Sequence, residues 1–403
     1  MTRREARARE RVANPGQPTL FSGATVHGWR GIRELRHPVE MPLLWTGLAL
    51  CVLAYLSWLA LVVWLVTVPE PSGTARELRG LFVGESATSQ AQVLLALPGL
   101  PLLVWVARAL MYAQLRSRGV QMSPTQFPEG YRMVVEAAAA FGLRRVPDAY
   151  VVLGNGQVNA FASGHGFRRF VCVYSDLFEV GGSARDPEAL RFVISHEVGH
   201  LAAGHVSFWR VLIQQLTGYV PVLGLALSRA MEYTADNHGY ALAPQGTAGV
   251  MGLLGAGKYL GAHVNLHAMA DRAAREKGFW VHAVAWSSTH PLLTWRAHAL
   301  RDRSKPGRVM IRPKNVWFDA AGPVGYARSQ GWPTPQQVLD HLDQVRPRVL
   351  GAEEQFGRYP GVEYAVVRDA VRLAEPTPTP RFVGQVGGMS GDLPDGSALP
   401  DRP

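Results

Sequence analysis

The order of apolar and polar positions divides the chain into zones before any motif is considered. Residues 1–40 are polar and carry arginines at 3, 4, 7, 9, 11, 30, 33 and 36. From Met41 to Pro69 no charged residue occurs, a run longer than the ~20 residues a helix needs to cross a bilayer. Trp45 and Trp64 stand near its ends, where interface aromatics are found. After a polar link over 70–85, a second uncharged run extends from Ser86 to Ala107, with Pro98 and Pro101 set to kink it. The pattern predicts two transmembrane helices within 41–118, behind an Arg-rich N-terminal segment.

The periodicity then becomes that of a folded domain. Tyr131 to Ala137 reads as a helix ending near Gly142, and Pro147-Asp148 opens a strand over Ala149–Leu153 that stops at Gly154-Asn155-Gly156. Arg169 to Tyr174 is a second β-rich run. A small sheet is therefore expected ahead of the next helix, and one of its edges can pair with an extended peptide. Asp186-Pro187-Glu188 starts that helix: Asp186 can cap, and Pro187 suits the first helical position. Leu190, Phe192, Val193, Ile194, Val198 and Leu201 make it apolar, and Gly204 offers an end.

Inside this apolar helix lies His196-Glu197-Val198-Gly199-His200, the H-E-x-x-H pattern. Histidines four apart lie roughly 40° apart around a helix, one turn above the other, so both imidazoles can reach one point. A catalytic zinc takes three protein ligands and keeps one position open. Glu197 is placed to take a proton from the water that such a zinc activates. Thirty-two residues on, Glu232 and Asp236 share a helical face as i and i+4. Glu232 would complete a His-His-Glu ligand set, with Asp236 behind a ligating histidine to fix its tautomer. Two solvated carboxylates on a surface helix are the other reading of that pair. His205, nine residues after His196, would point to the opposite side of a continuous helix and is read as a structural or outer-layer histidine, not a ligand. His238 has no partner suggested by spacing.

Charge narrows the surroundings. The net charge of +10 over 403 residues is carried almost wholly by arginine, since lysine stands only at 258, 277, 305 and 314. The arginines flank the apolar runs and form no aromatic-interleaved basic stripe, so a bilayer, not nucleic acid, is the expected partner. Arg-rich flanks precede the first run and follow the second, which places both termini and the catalytic domain on the cytoplasmic side of the cell membrane. No signal peptide is visible. Cys51 and Cys172 are the two cysteines, too few for a disulfide framework.

Four linked stretches carry a resemblance: Asn159-Ala160-Phe161-Ala162-Ser163-Gly164, the H-E-x-x-H pattern, Ser228-Arg229-x-x-Glu232-Tyr233-x-Ala235-Asp236, and Ser288-Thr289-His290-Pro291 with Arg296. In this order they resemble the HtpX and CAAX-prenyl-protease family of integral-membrane zinc metallopeptidases, over roughly residues 40–300. The resemblance implies a gluzincin-type fold, mainly α with a small β-sheet behind an N-terminal transmembrane hairpin. It implies one zinc per chain on His196, His200 and Glu232, with Glu197 as base. It also implies that Asn159 and Ala160 help hold the substrate chain, and that His290 or Arg296 stabilises the oxyanion. A helix-start turn is the other reading of His290-Pro291. The family carries two further apolar segments where this chain has Val206 to Ala230, interrupted by Arg210, Gln214, Gln215 and Pro221. Membrane contact without full spanning is expected there, with a core helix pair as the alternative.

The expected organisation is a polar segment over 1–40, membrane helices over 41–118, a zinc metallopeptidase domain over 119–304, a helical extension over 305–374 and a disordered tail over 375–403. Within the extension, helices are expected from Thr334 to about Val345 and from Val362 to Ala374, and Trp317 and Trp332 are expected to pack on the protease domain. The expected activity is zinc-dependent endopeptidase action on protein substrates at the membrane, unfolded or misinserted membrane proteins by the resemblance. A dedicated processing protease for one substrate, or a non-catalytic membrane scaffold or sensor keeping the fold, are the alternatives.

Overall fold

The computed structural model describes residues 32–68, 73–83, 88–178, 186–220, 222–261, 264–317 and 334–344. The N-terminal arginine-rich segment to residue 31, Trp332, the second expected helix of the extension and the 375–403 tail lie outside the described residues.

The first apolar run forms α1 (Glu40–Thr67), and among the described residues it is the one helix long and apolar enough to cross a membrane. Its two halves differ. Leu44, Gly47 and Cys51 face inward, while Val52, Leu53, Leu56, Leu59, Val63 and Val66 are exposed. An exposed apolar surface of this extent calls for a non-aqueous neighbour.

The polar link carries α2 (Thr74–Phe82). The second apolar run does not form one continuous helix. It breaks into α3 (Ser89–Leu95), a 3-10 turn over Leu97–Gly99, and α4 (Leu100–Arg118). Pro98 sits in the turn, where it lacks the N–H a continuing helix would need, and Pro101 sits in the first turn of α4, where that N–H is dispensable. The run stays close to α1: Trp58 Nε1 donates to Leu95 O at 3.3 Å.

The sheet follows expectation. β1 (Val120–Gln121), α5 (Pro128–Ala140), β2 (Asp148–Val152), β3 (Ala160–His165) and β4 (Arg168–Tyr174) occur in chain order, and the sheet order is β1-β2-β4-β3. β2 and β4 are parallel, with Ala149 opposite Val171, and β3 runs antiparallel to β4, with Ala162 opposite Val171. β4 is central, so Phe170 to Val173 are fully buried, and β3 lies at the edge.

The remaining helices are α6 (Pro187–Ala202), α7 (Phe208–Thr217), α8 (Leu223–Leu242), α9 (Gly246–Leu260), α10 (Leu266–Arg275), α11 (Phe279–Ser287), α12 (Leu293–Arg301) and α13 (Pro335–Gln344). Helix α6 is the centre of the domain, packed on α8, α9, α5 and the sheet. Asp186 caps it as its sequence indicates, its Oδ1 accepting from the N–H groups of Glu188 and Ala189 at 3.0 Å. The interrupted stretch after α6 is a helix pair, α7 and the start of α8, whose Ile213 and Leu227 enclose the inner half of α1. A Cβ at Gly47 would lie 2.9 Å from Thr217 Cγ2, so α1 seats here at a distance that only glycine allows.

The stretch from 305 to 317 opens the expected extension. It crosses the domain: Arg229 Nε donates to Val309 O at 2.8 Å, Tyr233 Oη donates to Arg308 O at 3.1 Å, and the Trp317 N–H donates to Asp271 Oδ1 at 2.9 Å. Trp317 packs on the domain as expected, with the Arg301 guanidinium 4.5 Å above its ring.

Candidate metal centre

Helices α6 and α8 cross so that three side chains meet. His196 Nε2 and His200 Nε2 are 3.2 Å apart, and each lies 3.5 Å from one carboxylate oxygen of Glu232. One donor atom from each residue falls within 4.8 Å of the others, and the group could hold a metal ion. The donor chemistry fits zinc. Both inner nitrogens face Glu232, and both outer nitrogens are engaged elsewhere: His196 Nδ1 with Asp236 Oδ1 at 3.0 Å, and His200 Nδ1 with His205 Nδ1 at 2.8 Å, the arrangement in which the inner nitrogens would ligate. The reading of Glu232 and Asp236 as surface carboxylates fails, since both are buried.

The electrostatics agree with a cation site. Burial opposes the charge of Glu232, but His200 and His196 outweigh it and hold the carboxyl well below its usual range. Burial drives His200 well below the ordinary histidine value. Burial also opposes the imidazolium of His196, yet Asp236 and Glu232 overcome it and lift the group to about 9. Glu197 is pushed up to about 7, chiefly by burial, against a lowering pull from His196 and from the Ala162 N–H bonded to its carboxylate. A carboxyl raised to this range can take and return a proton near neutral pH.

The four side chains open onto a cavity of about 390 Å³ walled on one side by Ala160, Phe161, Ala162 and Ser163 of edge strand β3. His290 comes from the loop ahead of α12 and also lines the cavity; its side chain is 66% exposed, with Nε2 3.5 Å from Glu232 Oε1. Ala160 borders the cavity, whereas Asn159 is exposed and its Oδ1 accepts from the Ala160 N–H at 2.9 Å. Arg296 stands elsewhere than expected. It lies behind the ligands, gripping Asp236 with both prongs, Nε to Oδ2 at 2.7 Å and Nη2 to Oδ1 at 2.5 Å. Of the two oxyanion candidates, His290 is the one that lines the cavity.

His205 is an outer-layer histidine as expected, outside the metal cluster, but it lies against His200 where a continuous helix would have turned it away, for a physical reason. Helix α6 ends at Ala202, and Gly204 takes a left-handed conformation, φ 76°, that returns the chain toward the helix. His205 is thereby brought against His200 and is buried, and burial pushes it down to about 4, so the ring is neutral at pH 7. Two contributors had no signal in spacing. Glu40, the charged residue that opens the long apolar run, is fully buried behind His205. Arg229 is buried and donates to the carbonyls of Trp286 and Ser288 at 3.2 and 2.7 Å, which pins the loop carrying His290.

Comparison with known proteins converges on the same residues. No curated protein matches the chain. Residues 124–218 and 207–304 match the model of Peptidase family M48. That similarity covers strands β2, β3 and β4, all three residues of the metal cluster and Glu197, and it implies a metallopeptidase.

Proposed function

We propose that this protein is a membrane-anchored zinc endopeptidase that cleaves protein substrates on the cytoplasmic side of the cell membrane, in the manner of an HtpX-like quality-control protease. The convergence of His196, His200 and Glu232 on one point, with Glu197 beside them on the floor of a strand-walled cavity, carries this reading. The exposed apolar half of α1 supports anchoring, and the arginines flanking the apolar runs support the orientation.

When bound to the three ligands, zinc polarises the scissile carbonyl and lowers the pKa of water to about 7. The residues of the chain do the rest. The outer edge of β3, unpaired among the described residues, pairs with an extended substrate and lays the scissile bond across the cavity. Glu197 takes the proton of the attacking water and returns it to the leaving amine. His290, on the open side, donates to the developing oxyanion. Asp236 holds the His196 tautomer, and Arg296 holds Asp236.

Incubating the detergent-purified protein and its Glu197→Gln variant with casein tests the activity. Cleavage by the parent and not by the variant supports the reading; equal cleavage by both defeats it. Profiling proteins retained by the Glu197→Gln variant in membranes tests the substrate class. Many unrelated unfolded clients fit quality control, whereas a single client fits dedicated processing.

A further inference from the structure

The two ligand histidines are supported from opposite sides, and one of the two supports ends outside the peptidase-like segment. Behind His200 the contacts run in series: His200 Nδ1 to His205 Nδ1 at 2.8 Å, then His205 Nε2 to Glu40 Oε1 at 3.3 Å. Only one proton arrangement satisfies the whole series. If the Nε2 of His200 is to ligate a cation, its proton sits on Nδ1 and is donated to His205. The accepting Nδ1 of His205 is then bare, its proton sits on Nε2, and that proton is donated to Glu40. A carboxylate is needed at the end, because an imidazole N–H seeks an acceptor. Glu40 is held as that acceptor by Arg36, by Arg210 Nη2 at 2.7 Å and by Thr234 Oγ1 at 2.5 Å. Glu40, His205 and Arg210 are each at most 2% exposed, so bulk solvent does not compete for these links.

Glu40 is the first residue of α1, and 165 residues separate it from His205. We infer that Glu40, acting through His205, is a positioning residue for His200, so that the seated N-terminal apolar helix is a structural part of the metal centre and not merely a tether. This inference rests on the proposed metal site. It makes α1 a requirement for tight metal binding: displacing its inner end from α7 and α8 removes the last link and frees the His200 ring to rotate.

The test measures zinc affinity by chelator competition, with visible absorption of the cobalt-substituted form, on the full chain in detergent. Outer-layer partners of ligating histidines are worth roughly 10- to 100-fold in metal affinity. Glu40→Gln is expected to weaken zinc by roughly that factor and to change the cobalt spectrum. His205→Phe keeps a ring but offers His200 no acceptor, and it is expected to do the same. The double variant is expected to bind zinc no worse than His205→Phe alone while unfolding at a lower temperature, because Arg36, Arg210 and Thr234 still lose their partner. Unchanged affinity in either single variant, or losses that multiply in the double variant, would overturn the inference. Should Glu40→Gln not fold, Glu40→Asp, which keeps the charge but shortens its reach to His205, takes its place: weakened zinc supports the inference and unchanged zinc overturns it. If the parent chain itself binds no zinc, the metal-site reading fails, a result distinct from failure of the Glu40 link.

Discussion

His196 and His200 are one turn apart on the same helix and make the same kind of bond, yet their supports have different origins. Behind His196 stands Asp236, clamped by Arg296, both within the 124–304 segment that resembles Peptidase family M48. Behind His200 stands a second imidazole, and the carboxylate is one step further away on α1, outside that segment. The same requirement, an acceptor for the outer N–H of a ligand, is met once by a local carboxylate and once by a relay into the apolar helix.

The largest effects come from the centre both supports serve. Glu232→Gln removes the charged ligand common to both histidines and is expected to abolish stoichiometric zinc, read by metal analysis. Glu197→Gln touches neither support, so zinc stays bound while kcat falls by about 10²–10⁴-fold. Activity in the parent is expected to rise with pH through about 7, because the base is the ionised form of Glu197 and burial raises its pKa to that range. A pH–rate profile whose acid limb is unchanged in Glu197→Asp would assign that limb to another group.

Arg296→Met tests the His196 side directly. It leaves the buried Asp236 carboxylate without its clamp and is expected to weaken zinc by roughly 10- to 100-fold, comparable to the loss in His205→Phe. A large loss on one side and none on the other would break the symmetry between the supports. Leu44→Ala loosens the seat of α1 without touching Glu40; it is expected to lower stability by about 2–5 kcal/mol, measured by denaturant unfolding. The smallest effect concerns His238, which donates Nδ1–H to Thr234 O at 2.7 Å and makes no hydrogen bond to a ligand histidine. Burial lowers it to about 3 from an ordinary 6.5. The unfolded chain takes up this proton first as pH falls, so its share of stability is full above about 6.5 and is lost progressively toward 3. His238→Phe should flatten that part of the stability profile.

Much of the centre was legible because its logic is local. The Asp186 cap, the apolar face of α6 and the four-residue spacings of His196 with His200 and of Glu232 with Asp236 all follow from helical period, and the structure realises each. Strands β2 and β4 were also legible, from β-rich runs on either side of Gly154-Asn155-Gly156, whereas β1 and β3 were not assigned. What failed depended on breaks in period. Helical geometry sent His205 away from His200 because it assumed that α6 continued past Gly204. The second apolar run was read as one helix because its length outweighed Pro98. Glu40 was passed over as the edge of an apolar segment, although a carboxylate at the head of so long an uncharged run is itself a sign of a buried partner. The role of Arg296 depended on which face of α12 meets Asp236, a tertiary fact with no periodic trace.

Zinc content of the purified full-length chain, compared with that of Glu232→Gln, tests the centre most directly. The account predicts one tightly held zinc per parent chain and none in the variant at equal folding. A parent chain without zinc, or a variant that keeps it, would contradict the convergence of His196, His200 and Glu232 on a single ion.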